Sequence, residues 1–121
     1  MLVAVVEDDL MVRAALERFL RASGFGAAGF GSGEEFLRWS ESHQADCGIV
    51  DVDLPGVNGL QMIERLAAGQ RSMPCIVITG SERAGVRERA IAAGAVAFIR
   101  KPVEGDELLS ALSGAVSACH G

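Results

Sequence analysis

Residues 1–9 read MLVAVVEDD. The first six are all apolar and three are valine, then the chain turns abruptly acidic at Glu7, Asp8 and Asp9. A short β-branched apolar run stopped by charge is a strand buried on both faces, with its carboxyl end at Glu7. The pattern returns along the chain. Residues 47–50 stop at Asp51, Cys75–Thr79 follows Met73 and Pro74, and residues 95–99 stop just before Arg100 and Lys101. Gly26–Phe30 is a weaker, glycine-diluted candidate.

Between these runs the period changes to that of a helix. Val12, Leu16, Phe19 and Leu20 recur at helical spacing with Arg13, Glu17, Arg18 and Arg21 outward, and Gly24 stands where a helix end favours positive φ. Ser32 with Glu35 is a capping-box signature for a second helix carrying Phe36, Leu37 and Trp39. After a Pro55-Gly56 turn and Gly59, a third helix carries Leu60, Ile63 and Leu66 out to Gly69. Residues 84–93, closed by Gly94, form a fourth. A fifth opens at Glu104 or Asp106 and turns Leu108, Leu109, Leu112 and Val116 inward.

Five strand–helix units joined by short connections require a mostly parallel sheet covered on both faces, because each crossover must be right-handed and continuous apolar strands must be buried twice. The expected fold is therefore α/β, a doubly wound five-stranded parallel sheet of order 2-1-3-4-5 with five helices. The length of 121 residues, half of them apolar, fits one domain over residues 1–121 with a sizeable core. Eleven basic and sixteen acidic residues give a formal charge of −5, which argues against binding nucleic-acid phosphates. The opening apolar run is too short for a signal sequence or a membrane span, so a cytoplasmic chain with no membrane association is expected. Three widely spaced cysteines, Cys47, Cys75 and Cys119, read as free thiols in a reducing compartment.

In such a sheet, ligands bind beyond the carboxyl ends of the strands, where the order reverses between the first and third. Those ends carry Glu7, Asp8 and Asp9, then Asp51 and Asp53, then Thr79, then Lys101. Carboxylates gathered within a few ångströms repel by several kcal/mol, and persist with a hard cation or a raised pKa. Oxygen donors of this kind suit Mg²⁺. A nucleophilic carboxylate, a cation, a lysine and a hydroxyl are the parts that phosphoryl transfer to an aspartate needs.

These positions resemble the receiver domain of two-component response regulators, nearer the nitrogen-fixation type. The matching pieces are Glu7-Asp8, Asp51 within Val50-Asp51-Val52-Asp53-Leu54-Pro55 with Gly59 eight residues on, Thr79-Gly80, and Phe98-Ile99-Arg100-Lys101-Pro102. The resemblance covers the whole chain and implies the flavodoxin-like, CheY-like form of the fold. It implies that Asp51 is the phosphoacceptor, charged from a phosphohistidine of a sensor histidine kinase or a histidine phosphotransfer protein. It implies Mg²⁺, or Mn²⁺, held by Glu7, Asp8, Asp51 and the backbone carbonyl of Asp53. It implies further that Lys101 and Thr79 bind the phosphoryl group, and that Thr79 and Phe98 switch the face of helix four, strand five and helix five. The implied partners beyond the donor are a downstream protein or an absent output domain, and a second copy in a phosphorylation-dependent homodimer. The domain is expected to be no enzyme beyond promoting its own phosphorylation and dephosphorylation.

Three positions, Glu7, Asp53 and Phe98, depart from the family pattern. Glu7 stands where aspartate is commoner, and its longer arm is expected to alter the grip on the metal. Asp53 places a carboxylate two residues after the acceptor, where it would repel the phosphoryl group or orient hydrolytic water. Phe98 lacks a hydroxyl, so it reports by packing, and the segment 81–85 before helix four is expected to be pliable. A rival reading is an aspartate-based phosphatase suggested by Asp51-Val52-Asp53, but the motif lies on the third strand and a cap domain is missing. A flavodoxin-type cofactor site would need a phosphate-cradling loop after strand one, where this chain has three acids. Phe36 and Trp39 read as core, and the His43/Cys47 and Cys119/His120 pairs as incidental rather than metal sites.

Overall fold

The computed structural model describes residues 1–71, 73–80 and 85–120, the last five of these by backbone alone. Ten elements alternate along the chain: β1 Leu2–Val6, α1 Leu10–Ala22, β2 Gly26–Phe30, α2 Gly33–Trp39, β3 Cys47–Asp51, α3 Gly59–Ala68, β4 Cys75–Thr79, α4 Val86–Ala93, β5 Ala97–Arg100 and α5 Gly105–His120. The strands form one parallel sheet of order β2-β1-β3-β4-β5. This is the doubly wound arrangement that the alternation demanded.

Successive strand residues point to opposite faces, and the two halves of the core follow that period. Val3 and Val5, Ile49, and Ile76 and Ile78 pack with Leu16 and Leu20 of α1 and Leu108 and Leu112 of α5. Ala4 and Val6, Val50, and Val77 pack on the other side with Phe36 of α2, Leu60, Ile63 and Leu66 of α3, and Val86 and Ala90 of α4. Each fully buried aliphatic side chain of this kind contributes about 1.5–3 kcal/mol. On the second face Phe30 meets Phe36 edge-on at 5.3 Å between ring centroids, and Trp39 at 5.1 Å. His43 stacks on Trp39 at 4.9 Å, and Cys47 and Cys75 are buried thiols.

Helix ends follow local chemistry. The Asp9 side chain caps α1 by accepting from the amides of Met11 and Val12, so this acid serves the helix. Ser32 caps α2 through the Glu35 amide, and Asn58 and Gln61 close a reciprocal capping box on α3. At Gly59 the chain passes so close to β3 that an added Cβ would lie 2.3 Å from the Asp51 carbonyl oxygen.

Two boundaries differ from the sequence expectation. Strand five was expected at residues 95–99, but β5 runs Ala97–Arg100. Gly94 closes α4 at φ 109°, and the Ala95 amide still bonds back to the Ala90 carbonyl, so sheet pairing begins at Ala97 opposite Ile76. The fourth helix was expected from residue 84, and α4 starts at Val86 behind Gly85, which has φ 84° and no side-chain cap. The expected pliability of residues 81–84, the inward side chain of Val116 and the pair Cys119/His120 lie outside the described residues.

Candidate functional site

Parallel register brings the strand ends level. Val6 lies opposite Val50, Asp51 opposite Ile78, and Thr79 opposite Arg100. Glu7 and Asp8 leave β1, Asp51 ends β3, Thr79 ends β4 and Lys101 follows β5, so all five stand at the same end of the sheet. The Lys101–Pro102 peptide is cis.

Lys101 is the hub. Its Nζ donates to Glu7 Oε1 at 2.7 Å and to Asp51 Oδ2 at 2.8 Å. Glu7 is fully buried and Asp51 nearly so. The Asp53 amide donates to the other Asp51 oxygen, Oδ1, at 2.9 Å. Glu7, Asp8 and Asp51 each offer a carboxylate oxygen within 4.8 Å of the others.

The two buried acids respond in opposite directions. Burial, then a hydrogen bond to Asp51 and its charge, pushes the Glu7 carboxyl up to about 7 against the opposing pull of Lys101. Burial would also raise Asp51, but hydrogen bonds from Glu7, Lys101 and the Asp53 amide outweigh it and lower the group. Lys101 is pushed up to about 12, because its bonds to Asp51 and Glu7 outweigh the burial that would lower it. Of the two acids, Glu7 is thus the one that holds a proton to higher pH, and Asp51 the one that stays ionised. Such a division between neighbouring acids leaves one of them a ready nucleophile.

Thr79 has no exposed surface, and its Oγ1 donates to Asp53 Oδ2 at 3.1 Å. Phe98 is half-buried and packs against the core under α4. Glu7, Asp8, Asp51 and Lys101 thus form one cluster, with Thr79 joined to it through Asp53. Sequence reasoning missed Arg13: rather than pointing outward, its Nη1 donates to the Glu7 carbonyl at 2.8 Å. The only signal was a basic residue one turn into the first helix, which is too common to interpret. Sequence reasoning also missed that Thr79 engages the Asp53 carboxylate.

Residues 3–113 match the family model described as the response regulator receiver domain. The chain belongs to the response regulator receiver domain family. Nodulation protein W of Bradyrhizobium diazoefficiens is 38% identical over 111 residues, which is 92% of this chain and 49% of that protein. The crystal structure of FixJ-N aligns with a TM-score of 0.89 at 30% identity, covering 96% of this chain and 93% of that one. A response regulator receiver protein from Burkholderia phymatum aligns with a TM-score of 0.84 at 41% identity, covering 96% and 94%. The receiver spans about half the length of the curated relatives it matches. Receiver domains of this family accept phosphoryl groups from kinases and typically bind Mg²⁺ at an acidic pocket. The donor set here fits that ion: it is made of oxygen alone, and each carboxylate keeps lone pairs beyond the hydrogen bonds named above. Among the described residues no helix is long and apolar enough to cross a membrane.

Proposed function

We propose that this receiver takes a phosphoryl group onto Asp51 from the phosphohistidine of a sensor histidine kinase or histidine phosphotransfer protein. The observation that carries the proposal is the contact of Lys101 Nζ with Asp51 Oδ2 at 2.8 Å inside a buried acidic cleft. The lowered pKa keeps Asp51 ionised, so an oxygen lone pair is available to attack phosphorus. The new bond is the ester between that oxygen and phosphorus. The bond that breaks joins phosphorus to the donor imidazole, which leaves with the electron pair and takes a proton.

Glu7, Asp8, Asp51 and the Asp53 backbone carbonyl would hold Mg²⁺ or Mn²⁺, which supplies neutralising charge to the phosphoryl oxygens. Lys101 supplies a second positive charge from the β5 side. The Asp53 amide fixes the orientation of the acceptor carboxylate. Thr79 then donates its hydroxyl to a phosphoryl oxygen, and Phe98 moves inward behind it. Charge-assisted hydrogen bonds of about 1.5–3 kcal/mol each supply the differential interaction that such a switch needs. The face of α4, β5 and α5 carries the result to a downstream protein, an output module or a second copy. The chemistry is confined to the domain's own aspartate, so it is a cytoplasmic signalling part rather than an enzyme with turnover.

Incubation with Mg²⁺ and acetyl phosphate followed by intact mass tests this reading. One phosphoryl adduct is expected on the native chain and none on Asp51→Asn. An adduct that survives in Asp51→Asn, or many turnovers of a small phosphate ester, would reject it.

A further inference from the structure

The bond between Thr79 and Asp53 has a consequence for the switch. A threonine hydroxyl carries one proton, so it donates either to Asp53 or to a phosphoryl oxygen, never to both. Asp53 is well placed to hold that proton. Its own amide is tied to Asp51 Oδ1 at 2.9 Å, and its neighbours Val52 and Leu54 are both buried in the core. The backbone at this point is thereby fixed, and the Asp53 carboxylate meets the buried Thr79 hydroxyl at 3.1 Å.

We propose that Asp53 is a positioning residue that acts through Thr79: it captures the hydroxyl in the resting state, and phosphorylation of Asp51 must win it away. This rests on the receiver reading and goes beyond it. The carboxylate sets how far the phosphorylated domain switches, because every phosphoryl contact by Thr79 is made at the loss of the Asp53 contact. A cleft of about 320 Å³ beside Asp53, with Asn58 and Arg89 also on its wall, offers polar space into which the released carboxylate turns.

The test uses beryllofluoride, a tetrahedral phosphoryl mimic, titrated with Mg²⁺ into the intact chain and followed by calorimetry. Asp53→Ala is expected to bind the mimic about three- to tenfold more tightly, the equivalent of one ordinary intramolecular hydrogen bond. In a Thr79→Val background the gain from Asp53→Ala should vanish, and in Thr79→Ser, which keeps a hydroxyl, it should return. A gain that persists undiminished in Thr79→Val would mean that Asp53 acts on the anion directly by repulsion, and would overturn the proposal. If thermal melting shows that Thr79→Val does not fold, Asp53→Asn decides. It keeps an acceptor without the charge, so a capture role predicts affinity nearer the native chain than Asp53→Ala, whereas repulsion predicts that the two variants match. No binding of beryllofluoride by the unaltered chain would reject the receiver chemistry itself, an outcome distinct from native binding with no gain in Asp53→Ala, which rejects only the capture role.

Discussion

Lys101 Nζ lies 2.7 Å from Oε1 of Glu7, a carboxyl group with no exposed surface. The lysine reaches across from the end of β5 to β1 and, on the way, ties down Asp51 of β3, so one cation joins three strands that share no local sequence. Its side chain is 27% exposed while the acids are buried, so the ammonium is partly hydrated and the acids are not.

Replacing that cation by Met keeps the length and removes the charge. Breaking a fully buried ion pair costs about 3–5 kcal/mol. The partial exposure of Lys101 and the ability of Glu7 to stay protonated reduce the expectation to about 1–3 kcal/mol. Urea unfolding of Lys101→Met should show this loss, and intact mass after acetyl phosphate treatment should show no adduct. Unchanged stability together with normal phosphorylation would contradict the role assigned to the lysine.

Glu7 gives the metal-free protein a pH dependence of unusual sign for an acid. Its folded value near 7 lies above the ordinary 4.5, so between these limits the folded state binds more protons than the unfolded one. The stabilisation is therefore complete below about pH 4.5 and is lost as pH rises through 7. Asp51 is lowered, so its contribution is lost only in acid below its ordinary range, outside this window. Thermal unfolding without divalent cations should fall from pH 5 to pH 8 more steeply for the native chain than for Glu7→Gln. Because Mg²⁺ and the proton compete for the same carboxyl group, Mg²⁺ affinity should rise over that interval.

At Gly59 the obstacle to a side chain is backbone. A Cβ there would sit 2.3 Å from the Asp51 carbonyl oxygen and 2.9 Å from Val50 Cγ1. Alanine raises helix propensity by about 0.5–1 kcal/mol, but forcing α3 away from β3 costs about 1–3 kcal/mol. Gly59→Ala should be destabilised in guanidinium unfolding and should accept phosphate more slowly, since the displaced strand end carries the acceptor.

Arg13 is expected to govern metal affinity without touching the metal. Its guanidinium holds the Glu7 carbonyl at 2.8 Å, at the peptide that aims Glu7 and Asp8. Outer-layer partners of this kind change metal affinity by about tenfold or more when buried. Arg13 is only half-buried, so Arg13→Ala should weaken Mn²⁺ binding, read by electron paramagnetic resonance, by about three- to tenfold. Full affinity in the variant would show that the contact is incidental.

The alternation of apolar runs with helical periods was enough to give the fold class, and the charges that stop the runs were enough to place Glu7, Asp8, Asp51 and Lys101 at the strand ends; the strand order came as the common one for such a sheet. Burial on both faces leaves a parallel strand no polar residues until it ends, so its first charges mark the open end of the sheet. Helix caps were legible for the same local reason, as Ser32 shows. Boundaries that depend on pairing were not: β5 starts at Ala97 only because Gly94 and Ala95 are still engaged by α4.

The linear chain determined which residues stand at the sheet's open end, because hydrophobic period and charge are properties of neighbours in sequence. Only the tertiary structure decided how those residues divide their work. Asp9 went to the α1 amides, the Lys101 ammonium to Glu7 and Asp51 together, the Thr79 hydroxyl to Asp53, and the Arg13 guanidinium to the Glu7 carbonyl. Each outcome depends on distance and burial among groups on different strands and helices, and a hydrogen bond between such groups leaves no trace in the order of the residues.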